Sequence, residues 1–210
     1  SFSIEDFDII HSHSYLSFYS LNLFKKINKK KIIFKHIHSV FGKNLNAYTG
    51  WNFSRLLSIF EESLIKAECD AYIVPSNFTK SMIESYVSEK EIFVIYHGPE
   101  YDYFPDKKEA RKRLNINDDD FIIGFVGRLS YGKGPQDIVK IMPELVKINK
   151  NVKLFLIGPN PSLKSSGIKG IKDELEIMVK NYKIEENVKF LGFVDDELIP
   201  YYYSSMDTFV

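Results

Sequence analysis

Two stretches of the chain hold residue types from which a site can be built. The first is GRLSYGKG, residues 127–134, which follows the apolar run FIIGFV without a break. Glycines let backbone N–H groups come close to a ligand, and Arg128 and Lys133 among them imply that the ligand is an anion, with phosphate the first expectation. Pro135 suits the first turn of a following helix, whose N-terminus would face the loop and favour negative charge. The second is a pair of histidine doublets, HSH at 11–13 and HIH at 36–38, each placed after an apolar run. Alternation along a strand puts both rings of a doublet on one face, at the strand's C-terminal end, where α/β sheets bind ligands. Four imidazoles there could hold zinc.

Each signal has a rival. GRLSYGKG differs from a Walker A loop by one residue, but Gly134 stands where that loop needs a magnesium-binding Ser or Thr. The runs VKLFLIG and VKFLG both end in Gly, so neither offers a second metal ligand. A P-loop NTPase is therefore disfavoured, and a tight strand–helix turn with solvated charges remains the plain alternative. HxH after a first strand is similar to metal-dependent hydrolases, yet no later strand ending in His or Asp completes that pattern. The expectation is no bound metal, with a packing role for most of these rings. A third stretch, from Asp70 to Phe104, reads as strand, helix, strand, with Ser76 or Asn77 able to cap the helix and Gly98 offering a close backbone approach.

Parallel α/β layers are what must position these residues. Strand candidates are 7–11, 31–38, 71–75, 91–96, 121–127, 152–158, 188–192 and 207–210. Between them run helical patterns from Phe53 to Lys66, Phe78 to Val87 and Ile138 to Ile148, with a kink or break expected at Pro143. Continuous apolar strands alternating with helices mean parallel sheets. The polar stretch 106–120 has no strand pattern and is the expected linker between an N-terminal domain, 1–105, and a C-terminal domain, 121–210. Residues 110–114 within it are read as one short helix, and 162–170 as a surface loop.

Composition narrows the classes. The chain of 210 residues balances 28 basic against 28 acidic residues, which argues against a nucleic-acid partner. Only four of the basic residues are Arg, so Arg128 in a glycine loop carries weight. The single Cys69 excludes an internal disulfide framework and fits a reducing, cytoplasmic setting. No run approaches the ~18 apolar residues of a membrane span. The chain has no initiator Met and stops on the strand-like DTFV, and both features lead to the expectation of a fragment truncated at both ends.

In order along the chain, DFDIIHSHSYL, KHIHSVFG, EESLIKAECDAYIVPSNFTK, VIYHGPEYDYF, GFVGRLSYGKG, VKLFLIGPNP and VKFLGFVDDELIPYYYSSMDTFV together resemble the family-4 retaining glycosyltransferases, also described as glycosyl transferases group 1. Each motif alone is weak; seven in the family's order are specific. The resemblance implies the GT-B architecture, two Rossmann-like parallel-sheet domains with the donor between them. It implies transfer of a sugar, of hexosyl type, from a UDP- or GDP-sugar to a glycan or lipid-linked acceptor, with retention and without a cofactor or metal. Polysaccharide assembly is one such setting; a lipid-linked acceptor would bring the protein to the inner face of a membrane, although no amphipathic basic helix argues for that.

By the same resemblance Arg128 and Lys133, with Gly127, would hold the donor diphosphate, and His38 would serve the chemistry beside the donor sugar. Gly192, Phe193 and Val194 would lie along the base, and His13 nearby. The family spells Pro-Asn-Gly where this chain has Tyr96-His97-Gly98, so the Asn role does not carry over. The family's paired donor-binding carboxylates, eight positions apart, fall past Val210, which leads to the expectation that these residues alone are inactive. A non-catalytic nucleotide-binding fragment and a sugar-nucleotide epimerase of the same architecture are the alternatives.

Overall fold

The structure, a computed structural model, describes residues 6–13, 17–18, 20–21, 31–41, 54–87, 90–98, 101–161 and 170–210. They fall into two compact units divided after Gly98. The surface loop expected at 162–170 lies outside the described residues except for Gly170.

The first unit carries β1 (Ile9–Ser12), β2 (Ile32–His36), α1 (Ser54–Lys66), β3 (Ala71–Val74), α2 (Asn77–Glu84) and β4 (Glu91–Val94). Its four strands are parallel, in the order β1-β2-β3-β4. Burial follows position in the sheet. Central β3 is covered on both faces, whereas edge strands β1 and β4 alternate and leave Ile9 and Phe93 exposed. Ile33, Ile37, Leu64, Ile65, Tyr72, Val74 and Ile83 make the core. Ser76 caps α2, its hydroxyl accepting from the Thr79 N–H at 3.1 Å. Lys35 is fully buried and donates from Nζ to the carbonyls of Leu64 (2.8 Å) and Ala67 (2.6 Å), which closes the C-terminal turn of α1.

The second unit carries α3 (Lys107–Arg113), β5 (Phe121–Val126), a 3₁₀ turn (Tyr131–Lys133), α4 (Pro135–Ile148), β6 (Val152–Ile157), α5 (Lys172–Tyr182), β7 (Val188–Gly192), α6 (Ile199–Ser205) and β8 (Thr208–Phe209). Its strands are again parallel, in the order β7-β6-β5-β8. Two apolar clusters explain the unbroken hydrophobic runs. Leu154 and Leu156 pack with Val139, Met142 and Leu175. Their neighbours Phe155 and Ile157 join Ile122, Ile199 and Met206 in the second cluster, so successive residues serve opposite faces.

Two expectations need correction. α4 runs through Pro143 as one helix, because Val139 and Met142 before it, and Leu145 and Val146 after it, all pack on the same core. That shared face outweighs the one backbone hydrogen bond the proline removes. The polar segment 106–120 is no free linker. It belongs to the second unit, and its buried Arg111 donates from all three guanidinium nitrogens to backbone carbonyls of residues 117, 118, 120 and 205 and to the Asp207 carboxylate. Its helix is capped by Asp106, which accepts from the Glu109 N–H at 2.9 Å.

Candidate functional site

Both sheets present their candidate residues at the C-terminal ends of parallel strands, the edge at which strand–helix loops emerge.

In the second unit, β5 is followed by Gly127, β7 ends in Gly192, and β6 between them is followed by Gly158. Backbone bonds lace these three ends together. The Gly127 N–H donates to Ile157 O at 2.8 Å, and the Gly158 N–H to Gly192 O at 2.7 Å. The loop beyond is pinned twice, by Leu129 N–H to Pro159 O (2.9 Å) and Ile171 N–H to Leu129 O (3.0 Å). Leu129 and Ser130 are buried, whereas the Arg128 and Lys133 side chains are exposed and make no ion pair or side-chain hydrogen bond among the described residues. A 3₁₀ turn carries Lys133 into Gly134, whose φ of +78° is a left-handed conformation glycine adopts freely, and Pro135 opens α4. Two unpaired cations thus stand beside a helix N-terminus, an arrangement that attracts a multiply charged anion.

Gly192 has φ +67° and open space where a Cβ would be, Phe193 is 73% exposed, and Val194 is partly buried against the cluster of Ile122 and Phe155. Gly158 escaped the sequence reading. A Cβ there would sit 2.2 Å from the Gly127 carbonyl oxygen, so this glycine lets the two strand ends meet. Its signal was the Gly that ends VKLFLIG, the same ending as FIIGFVG. A shallow hollow lined by Lys147, Lys150, Lys153, Glu186 and Asn187 lies at the opposite end of these strands and has no part in this edge.

In the first unit, all five histidines of the sequence gather at one strand edge. Register pairs Ser12 with Lys35, so His13 and His36 follow side by side. Ring centroids are 4.1 Å apart for His11–His13 and for His36–His38, 4.9 Å for His13–His36, and 5.7 Å for His38–His97. His13 Nδ1 and His38 Nε2 share a 3.1 Å hydrogen bond, one ring donating its N–H to the other's lone pair. His36 is 8% exposed, and neither ring nitrogen has a hydrogen-bond partner. Burial, then repulsion from His38, His13, His11 and His97, pushes its pKa down to about 4. Burial and neighbouring rings also lower His11 and His38. His36 is therefore neutral at pH 7, with a lone pair to offer. Gly98 is exposed beside His97, with nothing within 4 Å of where its Cβ would be. The sequence pointed to the four rings of the two doublets as one possible set, with His38 and His13 assigned to the donor sugar by resemblance; it gave no sign that His97 joins them.

Comparison with known proteins adds the following. The family model described as glycosyl transferases group 1 matches residues 106–210, and that described as glycosyltransferase family 4 matches residues 2–102. An uncharacterized glycosyltransferase of Methanocaldococcus jannaschii is 26% identical, over 99% of this chain and 52% of its own length. The alpha-monoglucosyldiacylglycerol synthase of Acholeplasma laidlawii is 26% identical, over 97% of this chain and 52% of its own. Sucrose-phosphate synthase from Thermosynechococcus elongatus shares the fold, with a TM-score of 0.77 at 22% identity over 97% of this chain and 50% of that one. The chain spans about half the length of these relatives.

Proposed function

The chain belongs to the glycosyl transferases group 1 family, and from that premise we propose that it handles a nucleotide-sugar donor, with the diphosphate on the loop from Gly127 to Gly134. The observation that carries this reading is the pair of exposed, unpartnered cations, Arg128 and Lys133, at the junction of β5 and α4. When the glycosidic bond to the diphosphate breaks, negative charge grows on the leaving phosphate. A fixed guanidinium, an ammonium and a helix N-terminus stabilise that charge without reorganising. Arg grips two oxygens with its fork, and Lys adds a point charge. Gly192 and Phe193, two strands away on the same edge, offer open backbone and an aromatic face to the base.

The finer reading is transfer of a hexosyl group from a UDP- or GDP-sugar, with retention and with no metal needed in the transfer step. The acceptor is a glycan or a lipid-linked sugar. The glycolipid synthase among the relatives favours the lipid, and with it a place at the cytoplasmic face of a membrane; among the described residues no helix is long and apolar enough to cross one. His38, a neutral imidazole at pH 7, serves the reacting sugar, and His13 orients it through their shared hydrogen bond.

Calorimetry with UDP and GDP tests the loop. Arg128→Ala should weaken binding by about 1.5–3 kcal/mol, the range for hydrogen bonds to a charged group. Equal affinity in the variant would show that the anion sits elsewhere. Because the chain covers about half of its relatives, the 210 residues alone should bind nucleotide without transferring sugar. Turnover of a radiolabelled nucleotide sugar by this chain would overturn that expectation.

A further inference from the structure

We propose that the histidine cluster of the first unit is a binding site for a divalent first-row transition metal of the zinc type, held by His11, His13 and His36. The three rings offer one nitrogen each, and these atoms all lie within 4.8 Å of one another. Zinc–nitrogen bonds of about 2.0–2.1 Å in tetrahedral array put ligand atoms roughly 3.3 Å apart, so the three nitrogens have at most about 1.5 Å to close.

Two further observations point to a ligand. His36 is buried, yet neither ring nitrogen is bonded, although a neutral imidazole carries one donor and one acceptor that burial makes costly to leave unmet. An ion at its lone pair answers half of that deficit. Meanwhile His38 shares a hydrogen bond with His13, and the second ring nitrogen of a metal-bound histidine is where an orienting partner is expected. With Nδ1–H of His13 donating to His38, Nε2 of His13 is left for the ion. Three imidazoles and no carboxylate favour zinc, copper, nickel or cobalt over magnesium or calcium. His97 lies farther out, 6.0 Å from His36 between ring centroids, and is not one of the ligands. Three protein ligands leave a fourth position open, as in exchangeable rather than closed structural sites.

This site needs no nucleotide: its ligands all belong to the first unit, and the loop at Gly127 belongs to the second. The test is titration of the metal-free 210-residue chain with Co²⁺, read by visible absorption, followed by displacement with Zn²⁺. One Co²⁺ per chain is expected, with bands that Zn²⁺ abolishes and excess Mg²⁺ leaves unchanged. His36→Gln and, independently, His11→Gln should each weaken binding more than tenfold. His38→Gln should weaken it by about 10–100-fold, the usual effect of removing an orienting partner. His97→Gln and Arg128→Ala should retain it. Should His36→Gln fail to fold, His11→Gln decides alone, since its ring is exposed. Absence of the bands, or affinity unchanged in His11→Gln, would overturn the proposal.

Discussion

Replacing Arg111 should unlock the N-terminal end of β5 and lower the stability of the second unit by about 3–5 kcal/mol. The magnitude follows from the contacts. Arg111 is 5% exposed and uses all five of its N–H donors. Nε donates to Ser205 O at 3.2 Å, Nη1 to Asn117 O at 3.3 Å and Asp118 O at 2.8 Å, and Nη2 to Asp120 O at 2.9 Å and Asp207 Oδ2 at 2.7 Å. The same Asp207 oxygen accepts the Ile122 N–H at 2.6 Å, so guanidinium and strand share one carboxylate. Arg111→Met keeps the apolar stem but orphans the carbonyls of Asp118, Asp120 and Ser205, while that of Asn117 still accepts the Asp120 N–H at 3.1 Å. The turn at 117–119 is exposed and can bind water, which places the cost within the range for a broken buried pair rather than above it. Against a typical stability of about 5–15 kcal/mol, that loss is a third or more. The chain holds two compact units and a single melting curve does not isolate the second, so the assay is hydrogen exchange at native pH, read on peptides covering Phe121–Val126 and Ala71–Val74. Protection should fall in β5 and stay constant in β3. A loss in β5 below about 1 kcal/mol, the scale of a single net hydrogen bond, would refute the reasoning.

Two other perturbations follow from buried groups. Burial lowers the Lys35 pKa from 10.5 to about 8, so between those values the unfolded chain holds a proton that the folded chain has lost. Stability of the first unit should therefore rise with pH from about 8 to about 9 by about 1 kcal/mol, and Lys35→Met should abolish that slope; denaturation at about pH 7.5 and about 9 checks both. The window stops near pH 9, where buried Cys69, whose pKa burial raises, contributes the opposite slope, as Tyr72 does near pH 10. Gly158→Ala should destabilise the second unit and abolish nucleotide binding, since the new Cβ meets the Gly127 carbonyl oxygen at 2.2 Å in a backbone with φ +131°. Gly192→Ala, with open space around its Cβ, should cost only the roughly 1–2 kcal/mol of a left-handed residue, and equal losses of exchange protection across Val152–Ile157 in the two variants would contradict this account.

The strands were legible because burial on both faces writes an unbroken apolar run. VKLFLI could be nothing but a covered parallel strand once helical patterns flank it. Local rules failed where distant groups decide. Composition marks 106–120 as a linker, yet Arg111 reaches Asp207, 96 positions away, and no window of sequence contains both. Proline chemistry forecasts a break at Pro143, and a shared apolar face overrules it. The glycine loop was legible because its chemistry is local. The histidine cluster was half legible: alternation pairs His11 with His13 and His36 with His38. Only the sheet order, which puts β1 beside β2, brings the doublets together, and only the fold brings in His97 from the segment after β4.

One physical cause places both sites. Parallel strands send every strand–helix connection out at the same edge, so each sheet gathers at its C-terminal end residues that are remote in sequence. The two edges nonetheless differ in sign. In the second unit the edge collects positive groups, with Arg128, Lys133 and the start of α4 beside glycines that bare the backbone, and it can attract only an anion. In the first unit the edge collects lone pairs. Burial and mutual repulsion keep His36 neutral at pH 7, so its lone pair is free to be offered to a ligand. The same fold rule, applied to two different loop chemistries, gives each unit an edge of its own character.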